Sequence, residues 1–215
     1  MKLTKVSALA AVAFATLGYS QVATAGWSAN VGLVSEYHFR GIEQTSDASA
    51  SAGVDYESGS FYAGAWTADV GDGLEVDLYG GFGFDLTEEV SASVGFTTYQ
   101  YTGDFDSEYN EVNLGLSFGM FSVEYSIGEH SADASAGIDT DSDYTFLGLT
   151  VEKNGFYGTY GSHGDDFDGD YFEVGYGTEI GGFDAGVSFI FASDDLTGSG
   201  SDENIYFSLS KGFAL

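Results

Sequence analysis

From residue 27 to residue 213, apolar side chains alternate with small or polar ones, the period-two pattern of a half-buried strand. Trp27, Ala29, Val31, Leu33 and Tyr37 fall on one face, with Ser28, Asn30, Gly32 and Glu36 on the other. Leu74, Val76, Leu78, Phe82 and Phe84 oppose Glu75, Asp77, Gly81, Gly83 and Asp85. Val112, Leu114, Leu116 and Phe118 oppose Glu111, Asn113, Gly115 and Ser117, and similar sets recur at 121–128 and 183–189. The pattern predicts strands at 27–37, 48–57, 60–69, 74–85, 90–101, 108–119, 121–129, 143–153, 156–163, 170–180, 183–193 and 203–213. Most run about ten residues, the length a tilted strand needs to cross a bilayer, whereas strands of soluble proteins average about 5–6. The phase slips near Thr97-Thr98, where a bulge is predicted.

The connections alternate as well. Tight turns follow every second strand, at Ser58-Gly59, Thr87-Glu88-Glu89, Met120, Asn154-Gly155 and Gly181-Gly182. Asn-Gly and Gly-Gly are favoured in two-residue hairpins. The other connections, near 38–47, 70–73, 102–107, 130–142, 164–169 and 194–202, are longer and polar. Short turns at one end and long loops at the other characterise outer-membrane barrels. The expected fold is therefore all-β: a transmembrane, antiparallel up-and-down β-barrel of about twelve strands. A soluble barrel or sandwich has the same alternation; the bilayer-length strands and one-ended long loops favour the membrane form.

Met1–Ala25 reads as a secretory signal peptide. Lys2 and Lys5 precede an apolar run from Val6 to Leu17, and Ala23-Thr24-Ala25 supplies a small-residue cleavage pattern. Residues 26–215 would then be the mature barrel. No later segment has the apolar length of a membrane-crossing helix. Export without such a helix, together with the barrel pattern, points to the outer membrane of a Gram-negative cell.

Composition narrows the chemistry. The chain has 32 glycines and no cysteine or proline, so a helical fold, a disulfide framework and thiolate metal sites are all disfavoured. Five basic residues face 34 acidic ones. That balance excludes ordinary nucleic-acid binding, which requires positive charge. In the strand phase above, Glu36, Asp55, Glu57, Glu75, Asp77, Asp85, Glu111, Glu124, Glu152, Glu173, Glu179 and Asp184 point inward, with no lysine or arginine among them. Charge on the lipid face costs about 2–4 kcal/mol at the midplane, and a dry lumen would leave the carboxylates unpaired. A wet, acid-lined lumen concentrates cations. The expected function is a porin-like, cation-preferring channel for passive diffusion of small solutes. The alternative is a non-conducting structural or interaction barrel.

The outer loops hold 14 further carboxylates. Facing anionic lipopolysaccharide, they would bind bridging Ca²⁺ or Mg²⁺; no other cofactor is expected. Asp166, Asp168 and Asp170, in the densest cluster, are weak candidates for an ion site, lacking the full calcium-loop pattern. His38, His130 and His163 fall at the outer rim with no close spacing to suggest a shared metal. No nucleophile–base motif appears, so an enzyme is not expected. Trp27, Tyr37, Trp66, Tyr101 and Phe213 lie near strand ends, where interfacial girdles form. Lys211 near the inner edge can snorkel.

Ile205, Phe207, Leu209, Lys211, Phe213 and Leu215 share one phase and resemble the terminal signal read by the barrel-insertion machinery, although that signal usually ends in an aromatic residue. Ser35-Glu36-Tyr37-His38-Phe39-Arg40-Gly41-Ile42 resembles the opening motif of TorF-family porins of proteobacteria. Ser58-Gly59-Ser60-Phe61-Tyr62-Ala63-Gly64-Ala65-Trp66 and Glu75-Val76-Asp77-Leu78-Tyr79-Gly80-Gly81 resemble the same family, the likeness being best over 27–105. The resemblance implies a pore-forming outer-membrane protein and singles out Arg40, either pinning the first loop by ion pairs with rim carboxylates or standing as an exposed loop cation.

Overall fold

The computed structural model describes residues 25–133, 138, 140–198 and 202–215. The segment read as an export signal, up to Thr24, and part of the 130–142 loop lie outside the described residues. In chain order the strands are β1 (Gly26–Val34), β2 (Tyr37–Phe39), β3 (Ile42–Thr45), β4 (Ser49–Ser58), β5 (Phe61–Asp69), β6 (Leu74–Asp85), β7 (Val90–Tyr101), β8 (Tyr109–Phe118), β9 (Phe121–His130), β10 (Ser142–Lys153), β11 (Phe156–Asp165), β12 (Asp170–Ile180), β13 (Phe183–Ala192) and β14 (Asp202–Ala214).

β1 and β4–β14 form one closed antiparallel barrel of twelve strands. β14 closes the ring on β1, with Asn30 opposite Gly212 and Leu33 opposite Leu209. Closure leaves no sheet edge, which is what a β-structure in hydrocarbon requires. β2 and β3 form a separate hairpin inside the first outer loop.

The pairing register fixes which way every side chain faces, because opposite residues share a face. Val31, Leu33, Leu78, Phe82, Leu114, Leu116, Phe189 and Phe207 all point outward and are exposed. An apolar belt encircling the molecule would aggregate in water; in a bilayer it is the surface that faces lipid. The fold is that of an outer-membrane β-barrel.

Three expectations need correction. First, β6–β7 and β7–β8 pair without a break across Thr97 and Thr98, so the bulge does not exist. The phase only appears to slip, because Tyr99 and Tyr101 face inward while Thr98 and Gln100 face outward near the rim. Second, the first strand stops at Val34, and the stretch read as its end and as a polar loop is the β2–β3 hairpin. Third, of the five girdle candidates only Trp27 and Phe213 face outward, at 55% and 45% exposure. Trp66 and Tyr101 lie opposite inward-facing Asp77 and Glu75, and Tyr37 is 2% exposed. An aromatic near a strand end packs on whichever side its parity dictates, and here much of the inner side is filled by the hairpin. Lys211 faces outward, its Nζ 4.8 Å from the Phe183 ring centre.

Candidate functional site

The β2–β3 hairpin runs from the β1–β4 wall into the barrel. Its turn residues, Arg40 and Gly41, both have positive φ, 46° and 89°. Such two-residue turns favour Asn-Gly, and Asn154-Gly155 at the opposite end of the barrel follows that rule. Gly is required at 41, where a Cβ would lie 2.6 Å from the Tyr171 ring. Arginine in this conformation is strained by about 1–2 kcal/mol, and its side-chain contacts offset that strain.

Arg40 reaches β8 and β9; β9 lies six places around the ring from β1, on the far wall. Nη1 donates to Glu111 Oε2 at 2.8 Å and Nη2 to Glu111 Oε1 at 3.0 Å, a bidentate pair. Nη2 also donates to Glu124 Oε1 at 2.5 Å and to Ser126 Oγ at 3.0 Å. The guanidinium lies 4.3 Å from the Phe146 ring centre and 4.9 Å from that of Phe39. Burial alone would lower its pKa, but Glu111 and Glu124 more than reverse this, so Arg40 stays charged. The expectation of a lumen without a basic residue is thereby corrected: Arg40 is a buried luminal cation, not an exposed loop one.

Other anchors surround the hairpin. Tyr37 Oη donates to Glu75 Oε1 on β6 at 2.8 Å. Burial, then the Glu75 charge, raise that phenol well above its usual pKa and keep it protonated. His163 Nε2 on β11 donates to the Arg40 carbonyl at 3.0 Å. His38 stacks on Tyr206 of β14 at 5.3 Å. Asn204, also on β14, donates to Glu43 at 3.4 Å.

Of the twelve carboxylates expected to face inward, Asp55 and Glu57 lie on β4, Glu75, Asp77 and Asp85 on β6, and Glu111 and Glu124 on β8 and β9. Glu152 lies on β10, Glu173 and Glu179 on β12, and Asp184 on β13. The register puts these eleven on the luminal face; Glu36 sits in the bend before β2. Several are bound by inward tyrosines. Tyr99 and Tyr144 donate to Glu111 at 2.7 and 3.0 Å, Tyr79 donates to Asp55, and Tyr157 and Tyr206 donate to Glu173. Sequence reasoning missed these tyrosines because their rings count as apolar; the pairing of each with a small or acidic inward residue is the signal that would have found them. Asp77 is buried with neither oxygen hydrogen-bonded.

The hairpin divides the lumen. Below it, a cavity of about 590 Å³ runs toward the short turns, bounded by His38, Phe39 and Arg40 above and by Ser28, Glu57 and Glu152 further down. Above it, a cavity of about 200 Å³ is bounded by Phe39, Arg40, Tyr99, Tyr109, Tyr144 and Phe167.

The weak loop candidates are not gathered into an ion site among the described residues. Asp166 accepts from the Asp143 amide, Asp168 caps Gly169, and the Asp170 amide donates to Ser193. The three histidines also separate. His130 contacts Ser107 and Asp106 at the rim, whereas His38 and His163 serve the luminal hairpin.

A family model described as "Bacterial protein of unknown function (Gcw_chp)" matches residues 20–167. That match neither names nor contradicts the TorF resemblance. No curated protein matches the chain. Among solved structures, the barrel is similar to an outer membrane channel from Pseudomonas putida F1, with 10% identity and a TM-score of 0.53 over 93% of this chain and 98% of that one. It is similar to the NanC porin, with 8% identity and a TM-score of 0.53 over 85% of this chain and 97% of that one. At these identities the likeness is one of fold. The chain spans 60% of the length of OccAB3 from Acinetobacter baumannii, with 86% of itself covered, at 15% identity and a TM-score of 0.43.

Proposed function

The chain belongs to the Gcw_chp family of bacterial proteins of unknown function, and from that premise we propose that it is a porin-like channel of the outer membrane. It passes small solutes by passive diffusion and prefers cations. The observation that carries this reading is the 590 Å³ cavity, whose lining includes Asp55, Glu57, Asp77, Glu124, Glu152 and Glu173. Its single arginine or lysine, Arg40, is already paired with two carboxylates. A wet passage with that lining holds cations and repels anions. Residues 1–25 direct export, the last strand is recognised by the insertion machinery, and lipid and lipopolysaccharide surround the barrel. The protein has no catalytic role.

A planar bilayer under a salt gradient tests the reading. A reversal potential of cation-selective sign is expected, reduced in Glu57→Gln/Glu152→Gln. An anion-selective sign refutes it. The anchored hairpin favours a second reading, a non-conducting barrel that presents its acidic loops to divalent ions, lipopolysaccharide or a partner. Absence of conductance in both the wild type and a variant with a released hairpin would support that reading instead.

A further inference from the structure

We propose that Glu36, His38 and Glu43 bind one divalent first-row transition ion, best matched by Zn²⁺, on a face of the luminal hairpin. Glu36 and His38 are two residues apart, and Glu43 pairs directly with His38 across the hairpin. A register irregularity between Tyr37 and His38 sets this pairing. One donor atom from each of the three lies within 4.8 Å of the other two.

The spacing has the dimensions of coordination. His38 Nε2 lies 3.4 Å from Glu36 Oε2, long for a charge-assisted hydrogen bond. Two donors about 2.1 Å from one tetrahedral ion lie about 3.4 Å apart. The His38 side chain is 2% exposed, that contact is its one hydrogen bond among the described residues, and Nδ1 has no partner. A buried imidazole whose Nε2 has only one long contact is poorly satisfied on that edge, and a cation held between Nε2 and the two carboxylates would replace the long contact with coordination. Glu36 is 28% exposed and Glu43 is exposed, which leaves a route from the outer solution. Asn204 of β14 orients Glu43 as an outer-shell partner.

Donor type sets the class of ion. One imidazole and two carboxylates suit Zn²⁺ and its neighbours, whereas Ca²⁺ and Mg²⁺ take six or more oxygens or retain their water. Two carboxylates with a neutral imidazole also balance a dication's charge. Bound there, the ion would join the strands of the hairpin and stiffen it.

Tag-free full-length protein, folded in detergent and stripped with chelator, provides the test. Titration calorimetry with Zn²⁺ should show one saturable site, and Co²⁺ should give the strong visible bands of a low-coordinate complex. Glu43→Gln, at an exposed side chain with the Arg40 contacts intact, and His38→Gln should each weaken Zn²⁺ binding at least about tenfold, while His130→Gln leaves it unchanged. Full-strength binding in Glu43→Gln and His38→Gln, equal competition by Ca²⁺, or no saturable site would overturn the assignment. The measurement reads binding, so its outcome is separate from that of the conductance test.

Discussion

Replacing Arg40 by alanine should release the hairpin from the far wall. The substitution removes the bidentate pair to Glu111 and the bond to Glu124, leaving Glu111 wholly buried beside a deleted cation. Breaking a buried ion pair in this way costs about 3–5 kcal/mol. Here the lower end applies. Glu111 keeps Tyr99, Asn113 and Tyr144 as donors at 2.7, 2.6 and 3.0 Å, and Glu124, 31% exposed, is partly solvated already. At about 1.4 kcal/mol per tenfold, a loss of about 3 kcal/mol lowers the ratio of seated to displaced hairpin by about a hundredfold. The chain has no cysteine, so Ile42→Cys on the hairpin introduces a unique probe. Its labelling by a bulky membrane-impermeant thiol reagent should accelerate by up to about a hundredfold when Arg40→Ala is added, the half-buried position 42 being reached more readily from the open population. Adding Glu111→Gln should recover part of the loss, because no unpaired charge then remains. An unchanged labelling rate in Arg40→Ala would show that the ion pairs do not hold the hairpin.

Other tests address the walls of the barrel. Leu114→Arg places a charge on the lipid face of β8 and should cost about 2–4 kcal/mol in urea unfolding from vesicles; a neutral result would mean that this face does not meet lipid. Asp77→Asn removes a buried carboxylate with no hydrogen-bond partner and should leave the unfolding midpoint unchanged or raised; a marked fall would reveal a partner for that group. Gly64→Ala would put a Cβ 2.5 Å from Tyr79 Oη and 2.6 Å from its ring. It should destabilise by about 1–3 kcal/mol, with full stability indicating that the ring moves freely away from Asp55.

The barrel was legible because its information repeats. Each strand holds the period-two pattern weakly, but twelve strands and their alternating connections all report the same architecture. Eleven of the twelve acidic positions follow from parity alone, since facing is a strict function of register. The errors arose where a residue type is two-faced. Tyr101 and Trp66 near strand ends read as girdle aromatics, yet each stands opposite an inward carboxylate, at Glu75 and Asp77. Tyrosine is apolar to a hydropathy pattern and a hydrogen-bond donor to a carboxylate, and only the cross-strand partner decides which property is used.

The hairpin was illegible for a different reason. Its strands are three and four residues long, too short for periodicity to register, and the turn that reverses them carries arginine where Asn-Gly chemistry is usual. Loop sequences of this kind ordinarily lie on the surface. Charge contained the missing clue. A lumen lined by carboxylates accumulates repulsion that water alone relieves only where there is room for it, and the chain has just one arginine. A sole arginine, strained at φ 46° and adjoining a glycine that no side chain could replace, is better explained by the acids it can reach than by exposure to solvent. Glu111, the most deeply buried of those acids, sits across the lumen in β8, and its tyrosine and asparagine donors are arranged around the same carboxylate that Arg40 pairs with. The far wall and the loop are thus two halves of one polar network, and the wall segment can be read correctly only together with the residue 71 positions earlier that completes it.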